Sequence, residues 1–83
     1  MRKIEKGKIY KHFKGDYYLI EDFAEHTETG ETMVIYRALY EGNKLYARPY
    51  EMFNSLVDKE KYPRVKQTYR FELADIKSKN KKS

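Results

Sequence analysis

Thr32-Met33-Val34-Ile35-Tyr36-Arg37-Ala38-Leu39-Tyr40 alternates as a β-strand does. Met33, Ile35, Arg37 and Leu39 share one face, and Val34, Tyr36, Ala38 and Tyr40 share the other, because successive strand side chains point to opposite sides. Turn signals bound this run. Upstream, Thr27-Glu28-Thr29-Gly30-Glu31 reads as a hairpin turn, with Gly30 the residue most able to take positive φ. Downstream, Glu41-Gly42-Asn43 turns the chain into a short strand, Lys44 to Arg48. Before the hairpin, Tyr17 to about His26 forms a strand in which Glu21-Asp22 breaks the alternation and marks a bulge. Lys14-Gly15-Asp16 joins it to a first strand from Gly7 to Phe13.

Beyond Arg48 the period changes. Pro49 is accepted in a helix's first turn, where its missing N–H has no partner to lose. Met52, Phe53, Leu56 and Val57 then follow at the spacing of one face of about two helical turns. Tyr62-Pro63 ends that segment, since a residue before proline avoids the α region. Val65, Tyr69, Phe71 and Leu73 alternate with Lys66, Thr68, Arg70 and Glu72 as a half-buried last strand. The reading is a mainly β domain: a small five-stranded, partly open antiparallel barrel (SH3-like) with a short helix before the last strand. A flat sheet with one packed helix is the second choice. An all-helical fold would bury four glycines in helices, at about 1 kcal/mol each relative to alanine.

Composition bounds the chain further. Its 83 residues suffice for one domain, expected over residues 1–76. A domain of this size buries only a little over ~60% of its unfolded surface, so its core must use large side chains; nine Tyr and four Phe supply them. The formal net charge is +5, but four lysines lie in residues 77–83, leaving +1 for the rest. That Lys-rich tail has nothing apolar to bury and is expected to be disordered. With no cysteine, disulfides, thiolate metal sites and Cys nucleophiles are excluded. The charged start, Met1 to Lys6, lacks the apolar stretch of a signal peptide, and no apolar run reaches the ~18–20 residues of a membrane span. A cytoplasmic location without membrane contact is the expectation.

Several polar residues could carry chemistry. His26 and Glu28 sit two apart at a strand end, so they could share a face as an acid–base or ligand-orienting pair; the simpler reading is a hydrogen-bonded turn. His12 with His26 and Glu28 makes a poor zinc set, and no metal or cofactor is expected. Arg37 shares its face with Met33, Ile35 and Leu39 and needs a partner: a carboxylate such as Glu28 or Glu51, or an anionic ligand. Arg48, before Pro49 and the helix start, could help to hold a phosphate or carboxylate. Tyr17, Tyr36, Tyr40, Tyr46 and Tyr50 suit a surface on which bases stack, or the half-buried layer of a small sheet.

The runs Tyr10-Lys11-His12-Phe13-Lys14-Gly15, Ala24-Glu25-His26-Thr27-Glu28-Thr29-Gly30-Glu31, Val34-Ile35-Tyr36-Arg37-Ala38-Leu39-Tyr40, Ala47-Arg48-Pro49-Tyr50-Glu51-Met52-Phe53 and Tyr62-Pro63-Arg64-Val65 occur together. In this combination the chain resembles a widespread bacterial family of short proteins known only as a domain of unknown function. The resemblance covers about residues 7 to 71 and leaves out the tail. It implies a short bacterial domain, sometimes joined to others, and supplies no mechanism. Candidate ligand-binding residues are therefore His12, His26, Glu28, Tyr36, Arg37 and Arg48. The leading expectation is a non-enzymatic binding module for a nucleic acid, a nucleotide or another anionic ligand. A protein-interaction domain comes second, and a small enzyme using His26 and Glu28 third.

Overall fold

A computed structural model describes residues 2–74. The Lys-rich tail and the expected boundary at residue 76 lie outside the described residues. The strands are β1 (Ile9–His12), β2 (Tyr17–Glu25), β3 (Thr32–Ala38), β4 (Leu45–Pro49) and β5 (Phe71–Leu73), with one helix, α1 (Tyr50–Phe53), before β5. They form one five-stranded sheet in the order β4-β3-β2-β1-β5, with every neighbouring pair antiparallel. The sheet is mainly built from hairpins and is not closed, because β4 and β5 are its two edges.

The alternation of β3 is borne out and oriented. Val34, Tyr36 and Ala38 are buried, while Met33, Ile35 and Arg37 are half-buried on the other side. The hairpin before β3 closes through a 2.8 Å bond from Gly30 N–H to the His26 carbonyl, with Gly30 at φ +77°. A side chain would be strained in that left-handed conformation. The expected bulge is also present: Ile20 pairs with Tyr36 but Asp22 with Ile35, so Glu21 is the extra residue. Such an insertion bends a strand and sharpens its twist. It also lets Ile20 and Phe23 both join the core side.

The core consists of Ile4, Tyr10, Ile20, Val34, Tyr36, Phe53 and Phe71. Phe53 of α1 and Phe71 of β5 stack face to face, with centroids 3.9 Å apart. Phe71 also meets the edge of Tyr36 on β3 and lies 5.6 Å below the Arg48 guanidinium on β4. One sheet edge thus reaches over the core to the other, the barrel-like curl of an open sheet. The hydroxyls of buried Tyr10 and half-buried Tyr50 are satisfied: Tyr50 accepts the Ile4 N–H at 2.8 Å and Tyr10 the Glu5 N–H at 2.9 Å.

Two elements are shorter than their sequence patterns suggest. The helix is one turn rather than two, so Met52 and Leu56 are exposed while Phe53 and Val57 are buried. Polar side chains stop it. Ser55 Oγ bonds the Met52 carbonyl at 2.6 Å, and Asp58 accepts the N–H groups of Glu60 and Lys61, the local competition that unwinds helices. The last strand shrinks to three residues. Ahead of it, side chains replace the ladder: Gln67 donates to the Lys11 carbonyl at 2.8 Å, Lys59 to the carbonyls of Val65 and Gln67, and Glu72 accepts from Thr68 and Tyr69. Every backbone group needs some partner, and here side chains share that task with isolated backbone bonds, Val57 N–H to the Thr68 carbonyl at 2.9 Å and Arg70 N–H to the Ser55 carbonyl at 2.8 Å.

Candidate aromatic cleft

The structure separates the six candidate residues into two groups. His26, Glu28 and Arg37 are committed to turns or to a surface ion pair. His12, Tyr36 and Arg48 converge on one cleft.

His26 directly follows β2, and its Nδ1 accepts the Glu28 N–H at 3.1 Å. The ring caps the turn, and the Glu28 side chain is exposed. Arg37 pairs with neither Glu28 nor Glu51, the carboxylates suggested by sequence. Its Nε donates to Glu21 at 2.8 Å and its Nη1 to the Asn43 carbonyl at 3.0 Å. The bulge supplies the partner, since Glu21 is the residue it leaves out of the ladder. Both side chains are about one-third exposed, at 38% and 34%.

The cleft lies on the opposite, concave face, where β-register brings residues of all five strands together. His12 faces Phe71, and Tyr36 faces Tyr46. Tyr18 and Tyr40 complete the wall, their hydroxyls 3.2 Å apart. Phe71 and Tyr36, both buried, form the floor. Tyr18 meets Tyr36, Tyr40 and Phe71 edge-on at 5.3–5.7 Å, the geometry aromatic quadrupoles prefer. The open cleft has a volume of about 180 Å³, below the ~300–1,000 Å³ of whole-ligand pockets. It suits one ring or one side chain.

Its electrostatics are simple. Burial, then the Tyr40 hydroxyl, push the Tyr18 phenol up, and the Tyr40 hydroxyl also raises Tyr46. Both stay neutral at pH 7. His12 is lowered to about 4, first by burial and then by Arg48, Arg70 and Lys14. Its Nδ1 accepts the Lys14 N–H at 3.1 Å, so the neutral ring carries its proton on Nε2. Arg48 donates from Nε to the Tyr36 hydroxyl at 3.1 Å. Among the described residues it has no carboxylate partner; the ion pairs there are Lys6–Asp22 and Arg37–Glu21. The cleft therefore offers hydrogen-bond donors, aromatic faces and one unneutralised cation. α1 is a single turn, so the helix start adds little macrodipole for an anion beside Arg48.

Residues 8–73 match a family described as a protein of unknown function, DUF1653. The chain belongs to this family. A crystal structure of a DUF1653 protein from Bordetella bronchiseptica is similar at 29% identity and a TM-score of 0.70, over 89% of this chain and 92% of that one. No curated protein matches the chain. All the cleft residues fall within the part of the chain matched to DUF1653.

Tyr18 and Phe71 are the cleft residues that sequence reading did not nominate. The register carries the missing signal: Tyr18 lies opposite Tyr10 and Phe71 opposite His12, so both share the face of Tyr36. Tyr17 and Tyr50 leave the expected stacking set. Tyr17 sits opposite Lys11 on the outer face, and Tyr50 packs on Phe23. A second, larger hollow of about 520 Å³ lies between the hairpin tip and α1, lined by Gly30, Glu31, Thr32, Tyr50 and Glu51. Its two carboxylates give it the opposite sign. Among the described residues, no group of three or more His, Cys, Asp or Glu side chains could hold a metal ion, and no helix is long and apolar enough to cross a membrane.

Proposed function

We propose that this DUF1653 domain is a non-enzymatic binding module whose aromatic cleft takes a nucleotide unit. The base lies among Tyr18, Tyr40 and Tyr46, and the phosphate lies on Arg48. The observation that carries this reading is Arg48: a guanidinium in an aromatic cleft, one nitrogen tied to Tyr36 and no carboxylate to neutralise it among the described residues. Arginine's planar fork suits phosphate and stacks on rings. The His12 Nε2–H adds a neutral donor suited to a base carbonyl.

The test is an amide-shift titration with adenosine and uridine 5′-monophosphates, with inorganic phosphate as control. Saturable shifts at residues 12, 18, 46 and 48 are expected, with loss of saturation in Arg48→Met. Unsaturable shifts, or the same affinity in Arg48→Met, would overturn the reading.

One observation favours a second reading. β4 is an edge strand on which Leu45 and Tyr46 stand exposed, and such an edge can accept an added strand from a protein partner. That mode would protect β4 amides from hydrogen exchange in the complex and leave nucleotides without effect.

A further inference from the structure

We infer that the occupant is a single strand of nucleic acid rather than a free nucleotide, because a second stacking platform, Phe13 with Tyr62, continues the cleft. The inference rests on the nucleotide reading above and extends it.

His12 is the hinge between the two surfaces. It lines the cleft with its edge against Phe71, centroids 4.8 Å apart, and stacks on Phe13 at 4.5 Å and 27°. Phe13 in turn meets Tyr62 at 4.9 Å and 61°. The aromatic line thus runs from the cleft floor, through His12, to the turn after β1 and out to the loop before β5. Its position is fixed by backbone: Phe13 N–H bonds the Arg70 carbonyl at 3.0 Å, and Gly15 N–H closes the turn on the His12 carbonyl at 2.8 Å.

Cations accompany each aromatic step. Arg48 stands 5.6 Å from the Phe71 ring. Lys14 Nζ lies 5.9 Å from Phe13 and 5.7 Å from Tyr62, and Lys61 Nζ lies 5.6 Å from Tyr62. Lys14 and Lys61 are exposed and have no ion-pair partner among the described residues. The charge around His12 agrees: Arg48, Arg70 and Lys14 press on it against one acid, Asp16.

Proteins that hold single strands combine a basic groove with aromatic rings on which successive bases stack. Here the cleft has room for one ring only. A mononucleotide would leave Phe13, Tyr62, Lys14 and Lys61 unused, whereas the next nucleotide of a chain would place its base and phosphate among them.

The experiment compares uridine 5′-monophosphate with a labelled single-stranded oligouridylate of about ten nucleotides, within the ~4–16-nucleotide range of such sites, and with a duplex of equal length. Proteins are the wild type, Arg48→Met, and the double variant Lys14→Gln/Lys61→Gln, each checked by melting to be fully folded at the temperature of the binding assay. The oligonucleotide should bind more tightly than the monophosphate. The double variant should keep its monophosphate affinity, lose roughly tenfold or more for the oligonucleotide, and show a salt slope smaller by about 1.4, at ~0.7 per single-strand phosphate. If wild type binds monophosphate and oligonucleotide equally and the double variant changes neither, the second platform is wrong and the nucleotide cleft stands. Equal affinity for the duplex would overturn the stacking argument. If wild type binds none of them, both readings fail, and a protein partner at β4 becomes the reading to pursue.

Discussion

Each histidine stands where a strand gives way to a turn, His12 as the last residue of β1 and His26 as the first after β2, and accepts an N–H from the residue two positions on: Lys14 to His12 and Glu28 to His26, both at 3.1 Å. Each precedes a turn closed by a glycine N–H. Locally the two are the same device. What lies behind them differs. His12 packs on Phe13 and Phe71 and feels Arg48 and Arg70, and it opens onto an aromatic cleft. Among the described residues no ring packs on His26; its Nδ1 faces the backbone N–H groups of its own turn, Glu28 at 3.1 Å and Thr29 at 3.4 Å. Turn chemistry is written in a few neighbouring residues, whereas a site needs strands from across the sheet.

The contrast breaks most visibly at the cleft floor. Phe71 is fully buried, stacks on Phe53 and supports both Tyr36 and His12. Phe71→Ala should cost about 3–5 kcal/mol, a large part of the ~4–12 kcal/mol expected for a chain of this length. The melting point should fall by more than about 12 °C. His26→Asn keeps an acceptor for the turn and should stay within about 1 kcal/mol of wild type by the same melts. Equal melting points for the two variants would mean that the cleft floor is not part of the core.

This division explains what could be read in the residues alone. The alternation in Thr32–Ala38, the bulge at Glu21 and the hairpin at Gly30 are local patterns, and all appear in the fold. The longer helix and longer last strand failed because Ser55, Asp58, Gln67 and Glu72 side chains capture backbone groups that periodicity assigns to secondary structure. The strand pattern shows that Arg37 needs a partner, but which carboxylate supplies it is set by the residue the bulge expels, Glu21. Tyr36 and Arg48 are separate features in the sequence; only the curl of the sheet joins them to His12, Tyr18 and Phe71. No spacing within one strand encodes that meeting.

Titration sharpens the comparison between the histidines. His12 in the fold is lowered to about 4 from an ordinary value near 6.5. The unfolded chain therefore binds a proton that the folded chain refuses between those values. Stability rises with pH wherever the unfolded state holds more protons, so His12 contributes fully above about pH 6.5 and its contribution is lost as the pH falls towards 4. Wild type should lose stability across that interval faster than His12→Asn, which can still accept the Lys14 N–H but does not titrate. The His12 ring resonances should show a midpoint near 4. Equal slopes in wild type and His12→Asn across that interval would overturn the assignment to His12.

The smallest effect separates the two arginines. Arg37 and Glu21 are each about one-third exposed, so solvent screens their attraction, and such pairs contribute about 0.2–1 kcal/mol. Arg37→Met, Glu21→Gln and the double variant should give a double-mutant cycle with a coupling inside that range, reduced further in high salt. None should alter ligand titrations. Arg48→Met removes one hydrogen bond, at about 1 kcal/mol, and should act on binding instead. A cost of about 3–5 kcal/mol for Arg37→Met alone would be the behaviour of a buried pair, and the outer face would then be as tightly built as the cleft. A loss of nucleotide binding in Arg37→Met, with stability intact, would move the anion site to the outer face and leave Arg48 as a support for Tyr36.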